Sequence, residues 1–268
     1  MFDNVCKYLA ETFSEDYATW LLGKPVVLTA LSPKELSLEP IRADALILEQ
    51  SDDLVLHLEF QTEPDETMGF RMLDYRVRVH RRFPHKTMHQ VVIYLKKTGS
   101  TLVYQNSFQL PETTHRYRVI RLWEEPPEPF LTSPGLLPLA VLAQSNSATE
   151  RLREVALALD IIEDKGIKAN LTTAAGILGG LKVKPELIKT ILRSDIMKES
   201  AFYQEILQEG EQRGLLKGKQ EGEQQGLLKG KLEVAQRLLE RGLGTTEVIN
   251  LTGLTVDDLQ TLSFLQDL

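Results

Sequence analysis

Asp44, Glu59 and Gln61 are the residues whose types and spacing could do chemistry. Asp44 lies in the segment RADALIL (42–48) and Glu59 with Gln61 in HLEFQT (57–62). Residues Leu54–Gln61 alternate strictly, with Leu54, Leu56, Leu58 and Phe60 pointing one way and Val55, His57, Glu59 and Gln61 the other. Ala43–Glu49 reads as the strand before it, and Gln50-Ser51-Asp52-Asp53 is turn chemistry. A turn centred on Ser51-Asp52 sets Asp44 directly across from Glu59, with Cβ atoms roughly 5 Å apart, where like charges repel. Two readings stay open. A divalent cation between the carboxylates would remove the repulsion, since carboxylates are the ligands Mg²⁺ uses, and Gln61 on the same face would orient a water or a phosphate oxygen. Alternatively, the two acids are the solvated ends of an edge hairpin.

The order Asp44, then Glu59-Phe60-Gln61, resembles the D…ExK signature of the PD-(D/E)XK nuclease superfamily, with Gln61 in the place of the lysine. Together with FRMLDYRVRVHRRF (70–83) and MKESAFYQEILQEG (197–210), these segments resemble the recombination-promoting nuclease family and its transposase-like relatives, above all the cyanobacterial-type members. The resemblance implies an α/β fold, a restriction-endonuclease-like mixed sheet flanked by helices. It also implies DNA as the substrate and hydrolysis of phosphodiester bonds with Mg²⁺ or Mn²⁺. Asp44 and Glu59 would hold the metal, and Asp44, Glu59 and Gln61 would form the catalytic set. Asp3, on the first helix, matches a helper acid of related nucleases only loosely; a first-turn acid favoured by the helix dipole accounts for it better. A catalytically silent nuclease-fold protein that binds DNA or assembles is the alternative, and the missing lysine speaks for it.

The elements that must position these residues follow from periodicity. Phe2–Leu22 reads as one amphipathic helix, with Val5, Leu9, Phe13, Tyr17 and Trp20 at spacings of three and four. Val26–Leu31 reads as a short strand. Met68–Phe83 reads as a helix that leaves the acid-bearing strand with Arg71, Tyr75, Arg78 and Arg82 on one face, placed to hold DNA phosphates, and Leu73 and Val77 on the buried side. A solvated basic face is the competing account. Gln90–Lys96, Leu102–Gln105 and Tyr117–Leu122 read as further strands, with a loop at Pro111–His115.

Four regions follow: a nuclease-like core (1–125), a helical support region (126–207), a glycine repeat (208–231) and a small helical tail (232–268). The repeat is a twelve-residue duplication, EGEQRGLLKGKQ followed by EGEQQGLLKGKL, with glycine at every fourth position from 210 to 230. Each glycine costs a helix roughly 1 kcal/mol against alanine. The segment is therefore either a frayed linker or a helix whose glycines let a second copy approach closely, giving a homodimer. The tail has a helix–turn–helix look, but no Lys or Arg follows Arg241, so it suits partner binding or self-association better than DNA.

Composition bounds the rest. A chain of 268 residues with 42% hydrophobic content can bury a sizeable core. The net charge of -7 means that any nucleic-acid contact must be a local basic patch. One cysteine, Cys6, suits a reducing compartment. The N-terminal stretch carries no signal pattern and no apolar run approaches the ~20 residues of a membrane helix. A cytoplasmic protein with no membrane partner is expected.

Overall fold

The computed structural model describes residues 2–31, 46–256 and 258–259. Residues 1–204 form one compact unit and 205–268 a second. The first opens with two helices, α1 (Phe2–Thr12) and α2 (Ser14–Leu22), where periodicity predicts one. Phe13 breaks them, and its side chain sits against Gly135, where an added Cβ would come within 2.2 Å of Phe13 Cβ. The close approach is fixed from the other side by Asp16, which accepts the Gly135 amide at 2.7 Å. A contact more than a hundred residues away thus decides a local break.

The central sheet has the order β1 (Thr29–Ala30), β2 (Leu46–Gln50), β3 (Leu54–Gln61), β4 (Thr87–Tyr94) and β7 (Arg118–Arg121). The helix α3 (Met68–Arg82) carries the chain from β3 to β4. The first three strands are antiparallel, whereas β3–β4 and β4–β7 are parallel. Between β4 and β7 the chain makes a 3₁₀ turn at Thr101–Tyr104, where a strand is expected. A small hairpin of β5 (Ser107–Leu110) and β6 (Thr113–Arg116) follows, where a loop is expected. The fold is mixed α/β, and no helix among the described residues is long and apolar enough to cross a membrane.

β3 lies at the centre of the sheet, not in an edge hairpin, and its residues 54–60 are all buried. Its alternation reports two covered faces of different polarity. On one, Phe60 meets Tyr17 of α2, with ring centres 6.4 Å apart. On the other, Val55 packs with Tyr75 and Val79 of α3 and Met88 of β4, while Met68 and Met72 pack on Val92 and Tyr94. The buried side of α3 is therefore Met68, Met72, Tyr75 and Val79; Val77, expected inside, faces solvent.

The β2–β3 register also differs from expectation. Leu46, not Asp44, stands across from Glu59, and Gln50 pairs with Val55. The turn closes one residue later than expected: the Ser51 amide donates to the Leu54 carbonyl at 3.0 Å, and the Ser51 hydroxyl holds Asp53 Oδ1 at 2.7 Å. Moving a two-residue turn by one position slides the ladder by two, which keeps every side chain on its face and changes only its partner. Asp44 itself lies outside the described residues.

On the α2 face of β2, Glu49 is 2% exposed and its carboxyl is pushed up from 4.5 to about 7, first by burial and then by the nearby Glu11 charge, against a hydrogen bond from Ser14. The folded state then holds a proton that the unfolded chain has released between these two pH values. Stability should fall as pH rises through that window and stay low above it. Glu49→Gln should remove the slope and add about 3 kcal/mol at pH 8, by the free-energy equivalent of the shift. Urea titrations of both proteins at pH 5 and pH 8 would read this; parallel pH profiles would refute it.

The helices α4 (Glu128–Leu131), α5 (Leu137–Ala140), α6 (Ala148–Asp160), α7 (Lys165–Gly179), α8 (Pro185–Ile191) and α9 (Ser194–Lys198) complete the unit. Phe130 of α4 stacks edge-on against Trp20 at 4.8 Å, which joins these helices to the α1–α2 pair. The expected single helix Asp195–Leu207 is divided: the Ser200 hydroxyl caps the next helix through the Tyr203 amide at 3.0 Å.

That helix is α10 (Ala201–Glu240), and it runs through the whole repeat. A Cβ placed at Gly214, Gly218, Gly222, Gly226 or Gly230 would meet nothing within 4 Å. In the second unit, Ala235 near the end of α10 packs with Val248 of α11 (Thr245–Thr252) and with Leu254 and Leu259. Gly242 and Gly253, both at positive φ, end the two helices.

Candidate functional site

Glu59 sits on the α3 face of β3 with its side chain 0% exposed. Burying an ionised carboxylate costs several kcal/mol unless it is paired and hydrogen-bonded. The pairing comes from α3: Arg71 Nη2 reaches both carboxylate oxygens, Oε1 at 3.1 Å and Oε2 at 3.0 Å. Arg71 is held in turn by Asp65, whose Oδ2 accepts from Nη1 at 3.0 Å. Asp65 is partly buried, which opposes its charge. The Thr67 hydroxyl and amide and the Arg71 guanidinium outweigh that and keep its carboxyl below the usual range.

A second arm runs through His57. Gln90 of β4 donates from Nε2 to the Met72 carbonyl at 2.7 Å, which fixes the amide orientation, because only an N–H can bond a carbonyl oxygen. The same nitrogen lies 3.0 Å from His57 Nδ1, so Nδ1 accepts and the ring proton sits on Nε2. That nitrogen faces Glu59 Oε1 at 3.5 Å. Gln61 Nε2 approaches Glu59 Oε2 at the same 3.5 Å. Tyr75 stacks edge-on against His57 at 5.0 Å, and its hydroxyl is held protonated above its ordinary range by burial first and by the Glu59 charge second.

The structure therefore gathers Glu59, Gln61, Arg71, Tyr75 and His57 around one carboxylate. Arg71 and Tyr75 are turned toward that centre and not outward as a DNA-facing row. Arg78 lies on the outer side of α3, where its Nε meets both oxygens of Asp74 at 3.0 and 2.9 Å, and Arg82 is exposed beyond it. Asp65 and Gln90 are the members that sequence patterns miss. The helix-start run Pro64-Asp65-Glu66-Thr67 was a signal for the first. Nothing local marks Gln90, which reaches the site only because β4 lies beside β3.

The described residues do not by themselves fit a divalent ion. Among them, no group of three or more His, Cys, Asp or Glu side chains is gathered as a metal site, and both oxygens of Glu59 are engaged by Arg71. Cys6 offers no nucleophile, since it is buried and its thiol is pushed well up, chiefly by that burial. What the centre can do is present one polarised carboxylate, with an amide and an imidazole N–H beside it, at the carboxyl end of a central strand. Comparison of the chain with protein-family models, with curated proteins and with solved structures finds no match.

Proposed function

We propose that the protein is a metal-dependent DNA endonuclease of the PD-(D/E)XK kind, with a restriction-endonuclease-like core. The observation that carries this reading is the placement of Glu59-Phe60-Gln61 at the end of the third strand of an antiparallel β1–β2–β3 run. That run is followed by α3 and a parallel β4. Glu59 is the acid of the site, Gln61 its orienting amide, and Asp44 the second acid that would complete a Mg²⁺ or Mn²⁺ set. The ion would supply charge neutralisation at the scissile phosphate and an activated water. Arg71 supplies the counter-charge to Glu59 inside the fold. Arg78 and Arg82, on the solvent side of α3, are the residues left to meet DNA phosphates. A homodimer through the repeat helix belongs to the same reading.

The competing reading is a nuclease fold that binds DNA or assembles without cutting. The clamp of Arg71 on Glu59 favours it, because an engaged carboxylate is not free for an ion. Incubation of supercoiled plasmid with the full chain and Mn²⁺ or Mg²⁺ separates the two. Endonuclease action predicts nicked and linear products that Glu59→Gln and Asp44→Ala each reduce at least a hundredfold. Plasmid left intact by the folded wild type, or cutting that survives Glu59→Gln, would sink the enzymatic reading.

A further inference from the structure

A cavity of about 410 Å³ opens beside the first half of β4. β7 pairs only with Val91–Tyr94, so among the described residues no strand lies beside the strand's start on that side, and the gap is walled by Arg76, Arg116 and Arg118. Its volume lies within the range of roughly 300–1,000 Å³ usual for small-ligand sites. Among the described residues no carboxylate lines it, in a chain whose net charge is -7. Arg76 Nη1 donates to the Met88 carbonyl at 3.0 Å and Arg118 Nη1 to the Leu21 carbonyl at 3.0 Å. These bonds hold both guanidiniums in place, and no carboxylate among the described residues pairs with either, so each keeps further N–H donors. The resulting positive field is felt nearby: His115 is held below its ordinary range by burial first and by Arg76 second.

Gln90 lines the same cavity, and it is 6% exposed. Its amide nitrogen is spent on Met72 and His57, but its Oε1 is buried with no partner among the described residues. A buried acceptor without a donor costs about 1–3 kcal/mol, and the polar side chains of Asn106 and Tyr117 also line the cavity beside Gln90. The lining therefore asks for two things in one molecule: an anion for the arginines and hydroxyl groups for the polar side chains beside them, Asn106 and Tyr117.

We propose that this cavity binds a small phosphate monoester that also carries hydroxyl donors, a sugar phosphate or a nucleotide. The site shares Gln90 with the network behind Glu59 but is lined by other residues, and it needs neither a metal nor the nuclease reading. Calorimetric titration of the full chain in metal-free buffer, with ribose 5-phosphate, 5′-AMP, inorganic phosphate and adenosine, tests it. Binding of ribose 5-phosphate or 5′-AMP is expected, tenfold or more tighter than inorganic phosphate, with no heat from adenosine. Tighter binding of 5′-AMP than of ribose 5-phosphate would identify the nucleotide. Arg116→Gln, at an exposed position, should weaken binding at least tenfold, as loss of a charge-assisted bond requires, and leave the melting temperature unchanged. No binding of either ester, inorganic phosphate binding as tightly as the esters, adenosine binding as well as 5′-AMP, or full affinity in Arg116→Gln would each overturn the proposal.

Discussion

Arg71→Met should destabilise the first unit by about 3 kcal/mol, the lower end of the cost of breaking a buried ion pair by removing one partner. The Glu59 carboxylate would keep its burial and lose the only cation that reaches it among the described residues, where the nearest alternative donors, His57 and Gln61, stand 3.5 Å away. The lower end applies because the Arg71 side chain is 29% exposed, so water can partly replace it. Glu59→Gln combined with Arg71→Met should recover most of the loss, because a neutral amide beside a thioether leaves no charge buried. Chemical denaturation of the two single variants and the double variant closes the cycle. A loss below about 1 kcal/mol in Arg71→Met, on the scale of an exposed surface pair, would mean that the clamp is incidental. The result bears on function: if Arg71 is the partner that Glu59 requires inside the fold, any ion binding at Glu59 must compete with it.

The second large effect lies in the repeat. Alanine at Gly214, Gly218, Gly222, Gly226 and Gly230 together should stabilise α10 by about 4–5 kcal/mol, close to 1 kcal/mol for each exposed helical glycine replaced. Among the described residues nothing opposes it, because no atom of theirs lies within 4 Å of any of the five new methyl groups. Hydrogen exchange of the α10 amides would read the gain as slower local opening. The same variant decides what the glycines are for. If they only mark a solvated rod, the five-alanine protein should be more stable and unchanged in sedimentation. If they form the seam between two copies, five methyl groups would hold the backbones apart, and the protein should shift toward monomer while the helix itself gains. A wild type that is monomeric throughout would end the dimer reading. The row also winds, because residues four apart advance about 40° around an α-helix at each step, so a straight partner could meet only part of it.

The strand–turn–strand alternation of 46–61, the helix 68–82 and the helical tail were legible in the sequence because their information is local. Side-chain period, turn chemistry at Ser51-Asp52-Asp53 and capping glycines act over a few residues. Glu59 and Gln61 were legible as a pair for the same reason, since residues two apart on a strand share a face. What the neighbours were was not legible. The alternation of β3 is identical for a strand half in water and for one buried between a polar and an apolar layer. Only the packing of α3 on one face and α2 on the other shows which it is. The exact ladder was decided by where the turn closes, a difference of one residue that shifts every partner by two and sets Leu46 across from Glu59. The role of Arg71 was decided by α3 crossing over β3, which converts an expected outward phosphate contact into an inward clamp on Glu59. Gln90 and the three arginines of the cavity come together only because β7 begins partway along β4. The sequence by itself thus determined which residues share a strand or a helix, since backbone geometry sets that spacing. The tertiary structure decided which charges meet, because a buried charge is tolerated only where the fold brings a partner to it.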